Sequence, residues 1–202
     1  METSNFFSQE TKKIEKKDFG DHKVLIIKSG ESAKVRLFGP TILAKQLWIS
    51  PKGKPFPIYV PEDSDFSQED LDKAYIQKNG KPSVPQECGA TAVYDYATKE
   101  AKVLVVPKYS KLYTAIHENQ LNDDWGDPTK YDMTIAINGQ GAGMTVSAVP
   151  SPKKELPKDI VASLEKVSVE QTLFGIPQNI LDARRVFDGN KKDDVTIEDI
   201  PF

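Results

Sequence analysis

The sequence predicts a mainly β fold, a small antiparallel barrel of about five strands with helical insertions, and three observations predict it. Short runs rich in Val, Ile, Leu and aromatic residues recur between Gly/Pro turns from residue 23 to residue 149. The clearest, YDMTIAI, alternates Tyr131, Met133, Ile135 and Ile137 with Asp132, Thr134 and Ala136, the pattern of a half-buried antiparallel strand. After Pro150 that patterning stops, and the chain becomes proline-punctuated, then helical, then acidic.

Residues 1–22 are polar and charged and predict a flexible arm. KVLIIKSG (23–30) reads as a strand ending in a turn at Gly30. KVRLF (34–38) reads as the next strand, and Gly39-Pro40 as a break before ILAKQLWI (42–49). Alternation in that last run sets Leu43, Lys45, Leu47 and Ile49 opposite Ala44, Gln46 and Trp48, which makes Trp48 a surface aromatic. SPKGKPF (50–56) is a loop and PIYV (57–60) a short strand. Residues 61–90 read as an insertion: an acidic helix N-capped by Ser67 and ending at Asn79-Gly80, then the loop KPSVPQECGA. TAVYDYA (91–97) and AKVLVV (101–106) form a hairpin across TKE. SKLYTAIHENQL (110–121) is a helix with Leu112, Ala115, Ile116 and Leu121 on its apolar face. NGQGAG (138–143) joins YDMTIAI to MTVSAV; lying between strands, it is a turn and not a nucleotide loop. PSPKKELP is a linker, and KDIVASLEKV (158–167) and PQNILDARRVF (177–187) read as helices. The plan is thus an arm (1–22), a barrel domain (23–152, with the 61–90 insertion), a linker with short helices (153–187) and a disordered acidic tail (188–202). The oligonucleotide/oligosaccharide-binding (OB) fold matches this order.

The 202 residues, 38% of them hydrophobic, supply one core. No apolar run approaches the roughly 18 residues of a membrane span, and the start lacks the apolar stretch of a secretory signal. A single cysteine, Cys88, and two distant histidines, His22 and His117, leave no spacing for a zinc site or a disulfide framework. The expectation is a cytoplasmic, non-enzymatic protein without metal or cofactor. Cys88 has no cationic neighbour in sequence and is expected to be inert. Asp123, Asp124 and Asp127 around Trp125 are the one alternative for a metal-dependent nuclease, but acids in a turn before a strand are expected to be surface and capping residues.

Formal charge is −3, distributed as a basic front and an acidic end. Residues 1–60 carry 11 Lys/Arg against 6 Asp/Glu, whereas 61–130 carry 8 against 13. The pI near 5.5 gives no support to a generic nucleic-acid binder. The support comes from interleaving: single-strand binding needs aromatic platforms for bases and cations for phosphates. Lys34, Arg36, Lys45, Lys52 and Lys54 alternate with Phe38, Trp48, Phe56 and Tyr59. Tyr94, Tyr96, Lys99 and Lys102 follow, then Lys108, Tyr109, Lys111 and Tyr113. The expected binding set is Arg36, Lys45, Trp48, Lys52, Lys54, Phe56, Tyr59, Tyr94, Tyr96, Lys99 and Lys102, with Phe38 and Tyr131 in the core.

The ending DDVTIEDIPF joins Asp193, Asp194, Glu198 and Asp199 to Ile200, Pro201 and Phe202, a terminal ring and carboxylate on one residue. Asp199-Ile200-Pro201-Phe202 after an acidic run resembles the C-terminal tip of bacterial single-stranded DNA-binding proteins. WGDPTKYD, a glycine-containing turn and a second strand running into a proline segment are similar to bacteriophage single-stranded DNA-binding proteins over about residues 34–160. The chain departs from the T-even type, lacking the Cys/His set of its zinc ribbon. The resemblance implies a protein that coats single-stranded DNA in replication, recombination and repair, and recruits polymerase, helicase or primase, or nuclease through its tip. A replisome accessory protein without its own DNA groove is the rival expectation, and the residues leave an oligomer open.

Overall fold

The computed structural model describes residues 23–50, 55–77, 79–140 and 143–174. The expected arm, Lys52, Lys54, the 177–187 helix and the acidic tail with its tip residues lie outside the described residues. The fold is mainly β, as expected. β1 (Glu31–Ile49), β2 (Phe56–Pro61), β3 (Gln86–Asp95), β4 (Glu100–Pro107), β5 (Asp132–Asn138) and β6 (Thr145–Pro150) form one antiparallel sheet. Its order is β4-β3-β1-β5-β6, with β2 joined to β1.

The sheet has six strands and is open where about five in a closed barrel were expected: among the described residues no ladder joins β4 to β6. A helix stands on that side instead. α2 (Lys111–Leu121), N-capped by Ser110, lies against β6, where Asn119 Nδ2 donates to the Ala148 carbonyl at 2.5 Å and the Lys111 ammonium to the Met144 carbonyl. One carbonyl of β6, and the one just before the strand, are thus satisfied by helix side chains. At β4, residues 23–25 add one parallel bridge, Val24 to Val103, with the Leu25 N–H 2.8 Å from the Val103 carbonyl. KVLIIKSG is therefore a bridge and not a full strand, although the turn at Gly30 forms at φ 86°.

Gly39-Pro40 does not break the chain. β1 runs 19 residues through it, and pairing with β3 shifts register between Phe38, opposite Ala92, and Ile42, opposite Ala90. Gly39 at φ 74° and Pro40, which has no N–H to give a ladder, are suited to such a bulge. The bend lets one strand serve β5 with its first half and β2 with its second. In β2, Pro57 and Pro61 stand opposite Trp48 and Ala44.

The insertion helix α1 (Gln68–Asp72) starts where Ser67 accepts the Asp70 N–H at 3.2 Å, but it ends well before Gly80. The end of β1 offers open backbone groups, and the Tyr75 N–H takes the Trp48 carbonyl at 2.8 Å, drawing the chain into extended bridges. The expected loop at 81–90 also gives way, since β3 begins at Gln86 and buries Cys88 and Ala90.

Between the sheet and α2, Val35, Leu37, Val93, Leu104, Tyr131, Met133 and Ile135 close around Ile116. Leu121, expected on that apolar face, is 62% exposed. The outer face of β1, β3 and β4 is covered by α3 (Lys158–Leu164) and α4 (Val169–Phe174), the latter unforeseen. Ile160 and Leu164 pack on Ala92, and Leu173 packs with Ala44, Tyr59, Cys88 and Ala90; small side chains beneath leave room for the helices.

Candidate nucleic-acid interface

Alternation sets Asp132 on the outer face of β5, where solvent was expected, yet its side chain is 0% exposed. Register explains this. Arg36 stands directly opposite on β1, itself 2% exposed, and its Nε donates to Asp132 Oδ1 at 2.9 Å while Nη2 donates to the Lys154 carbonyl at 3.1 Å. The Tyr96 hydroxyl donates to the same Oδ1 at 2.8 Å. Lys154 Nζ stands 2.8 Å and Lys34 Nζ 3.6 Å from Oδ2. Burial works against the Asp132 charge, but Lys154, the Tyr96 hydroxyl and Arg36 together hold its carboxyl below the ordinary value. Burial, helped by the donated bond to Asp132, pushes the Tyr96 phenol up to about 12.

Three cations therefore meet one carboxylate. Two of them, Lys34 and Lys154, are about half exposed and lie 5.3 Å from the Tyr96 ring centre. Tyr94 meets Tyr96 edge-on at 5.1 Å. The corner thus has surplus positive charge beside partly exposed aromatic surface, suited to an anion attached to a planar group. Across the sheet Lys34 pairs with Thr134, which pairs with the 59% exposed Val149, so an uncovered strip leads away from it.

Lys99 stands exposed in the turn between β3 and β4, its N–H donating to the Asp95 carbonyl at 2.8 Å, while Tyr94 and Tyr96 stay together at the corner. Arg36 belongs to it only as a buried strut, a correction to its expected role as a direct contact. Tyr59 is corrected likewise: it is 3% exposed beneath α4, and its hydroxyl accepts from Gln46 Nε2 at 3.2 Å. Burial first, then the nearby Cys88, pushes that phenol well above its usual range, against the bond from Gln46. Lys102 is 12% exposed and held by Asp95 at 2.8 Å. Asp95 also accepts from the Ala97 N–H and the Thr98 hydroxyl, and these bonds, with that to Lys102, keep its carboxyl below normal despite burial. That group walls a cleft of about 310 Å³ beside residues 23–27 and works as a turn brace. Lys45 donates to Asp65 at 2.8 Å and to the Ser64 carbonyl at 3.0 Å. Phe56 packs at the rim of the Leu47–Ile49–Ile58–Phe66 cluster.

Trp48 is 39% exposed, as alternation required, but the length of β1 separates it from Tyr94 and Tyr96, which meet β1 near Arg36 and Lys34. The expected set is therefore split between two ends of the sheet. Asp132 and Lys154 were missed. Lys34 and Arg36 share one strand face, which hints at an acid opposite, whereas nothing local marks Lys154. Phe38 is only partly buried, under α3, and Tyr131 is fully in the core. Asp127 caps the turn at Pro128–Lys130 through the Thr129 N–H at 2.9 Å. Burial pushes the Cys88 thiol up to about 12. Among the described residues no group of three or more His, Cys, Asp or Glu converges as a metal site, and no helix is long and apolar enough to cross a membrane. In comparisons with protein-family models, curated proteins and solved structures, nothing matches this chain.

Proposed function

We propose that this chain is a non-enzymatic single-stranded DNA-binding protein of a phage-type replication, recombination and repair system, recruiting partners through its C-terminal tip. The observation that carries the proposal is the corner where Lys34, Arg36 and Lys154 outnumber Asp132 beside Tyr94 and Tyr96. Two exposed ammoniums would neutralise phosphates, and the tyrosine pair would hold a base. The strand order supports an OB-type ancestry. Setting β2 and α1 aside as an insertion leaves five strands in a partly open arrangement with α2 between β4 and β5. In OB proteins the face of the second and third strands takes the oligonucleotide. Here the equivalent β3–β4 face is covered by α3 and α4, so the strand would enter at the margin of that cover, where Tyr94 and Tyr96 pack against the Ala92–Ile160–Leu164 cluster and stay partly exposed.

A titration of labelled dT20 at two salt concentrations tests this. Binding should weaken as salt rises, and replacing Lys34 and Lys154 with Met should lower the salt slope by about 1.4, at about 0.7 per phosphate contact for single strands. No binding at low salt would refute it. The rival, an accessory protein with the tip but no groove, draws on the burial or ion pairing of Arg36, Tyr59, Lys45 and Lys102, and predicts that null result.

A further inference from the structure

Tyr109 sits in the turn between β4 and α2 with its side chain 81% exposed, yet its backbone is left-handed, at φ 63°. A bulky residue there is a steric outlier that costs free energy, and glycine would suit the turn better. The strain brings no burial in return. It does set the ring at the head of a ladder: Tyr109 lies 6.1 Å from Tyr113, which stacks on His117 at 5.5 Å and 29°. The positions fall four apart, so α2 carries Tyr113 and His117 on one face and the turn extends that face by one ring. Lys108, which pairs with Glu87, holds its ammonium 5.4 Å from the Tyr109 ring centre, and the Lys111 ammonium is anchored on the Met144 carbonyl.

We infer that Tyr109 is a second stacking platform, taking one unpaired base of the same single strand on its exposed ring; the Lys108 ammonium, which lies over that ring and pairs with Glu87, would move aside for the base. The inference rests on the proposed function and deepens it by adding a second point of contact. β4 begins beside the tyrosine pair, with Ala101 opposite Tyr94, and ends next to Tyr109. At about 3.3 Å per residue β4 sets the two points at least roughly 20 Å apart. The tyrosine pair packs on the α3 side of the sheet while Tyr113 packs on the α2 side, so the strand would pass round the end of β4, a path for several nucleotides of the ~4–16 that one OB-type unit engages. A single-stranded nucleic acid suits the ladder better than a protein does, because the surface is a single exposed ring with one ammonium over it and not a broad apolar patch.

Tyr109→Gly removes the ring and relieves the strained backbone. It should melt at or above the wild-type temperature while its affinity for dT20 falls at least about fivefold, the effect of losing one stacked base. Tyr109→Phe should bind within about twofold of wild type. Irradiating wild type with dT20 carrying 5-iododeoxyuridine should crosslink Tyr109. If Tyr109→Gly binds as wild type and no crosslink forms, while the Lys34/Lys154 variant loses binding, the platform is refuted and the proposed function stands. If wild type itself fails to bind dT20 at low salt, both fall.

Discussion

Asp132→Asn is the sharpest perturbation of the corner, because it keeps the shape and removes only the charge. At 2.9 Å the Arg36–Asp132 attraction is about 6 kcal/mol for an effective dielectric of about 20. Desolvation of both groups offsets much of that in the intact protein. In the variant the guanidinium stays 2% exposed with a neutral amide and the Lys154 carbonyl as partners, and an uncompensated buried charge costs about 3–5 kcal/mol. With a urea dependence of about 2 kcal/mol per molar, the unfolding midpoint should fall by about 2 M. Lys34→Met is the control: its side chain is 47% exposed and its ammonium 3.6 Å away, so the loss should stay within about 1 kcal/mol. A deficit below about 1 kcal/mol for Asp132→Asn, at unchanged urea dependence, would sink the argument that this pair braces the corner.

The same carboxylate sets an acid limit. Asp132 and Asp95 both titrate lower folded than unfolded, so each contributes stability present above the unfolded value of about 3.9 and lost as pH falls through the lower folded one. Wild type should lose stability over that window and Asp132→Asn less, as followed by urea midpoints at successive pH values. Leu173→Ala should cost about 2–5 kcal/mol, and a thiol reagent should then reach Cys88 faster; equal labelling rates would mean that α4 is not its cover. Trp48→Ala should change stability little but weaken dT20 binding by about 1–3 kcal/mol if a base stacks there, as read by anisotropy. Deleting residues 193–202 moves formal charge from −3 to +1, so single-strand binding should hold or tighten, most at low salt, while pull-down of polymerase or helicase is lost.

Period-two alternation made the inward faces legible: Val35 and Leu37 on β1, and Met133 and Ile135 on β5, all lie in the core. One cap was legible too, since Ser67 accepts the Asp70 N–H as its side chain allows. What alternation does not report is whether an outward face meets water. Ala44, Gln46 and Tyr59 point outward and are buried because α4, from much later in the chain, lies over them. Asp132 disappears for a related reason: its environment is made by Arg36 and Lys154, distant in sequence, so its burial is a property of register and of the returning chain. Gly39-Pro40 carried a true signal of local irregularity, but a bulge and a break share the same residues. Pairing on both sides of the strand decided between them.

β2 has a consequence for how copies of this protein meet. A proline cannot donate into the ladder, so Pro57 and Pro61 face β1 only at its non-hydrogen-bonded positions, opposite Trp48 and Ala44. Tyr59, midway between them, then shares their orientation. On the outer margin of β2 every second residue should offer an N–H, and of Pro57, Tyr59 and Pro61 only Tyr59 has one. A second chain laid along this margin would find a single donor across five residues, too few to register a strand. For a protein proposed to bind single-stranded DNA, where copies could sit close together, that is a safeguard at this margin: neighbours would not fuse along β2 into an irreversible fibre. Any cooperativity across this margin would have to come through side chains, leaving each molecule able to depart singly when the strand is needed.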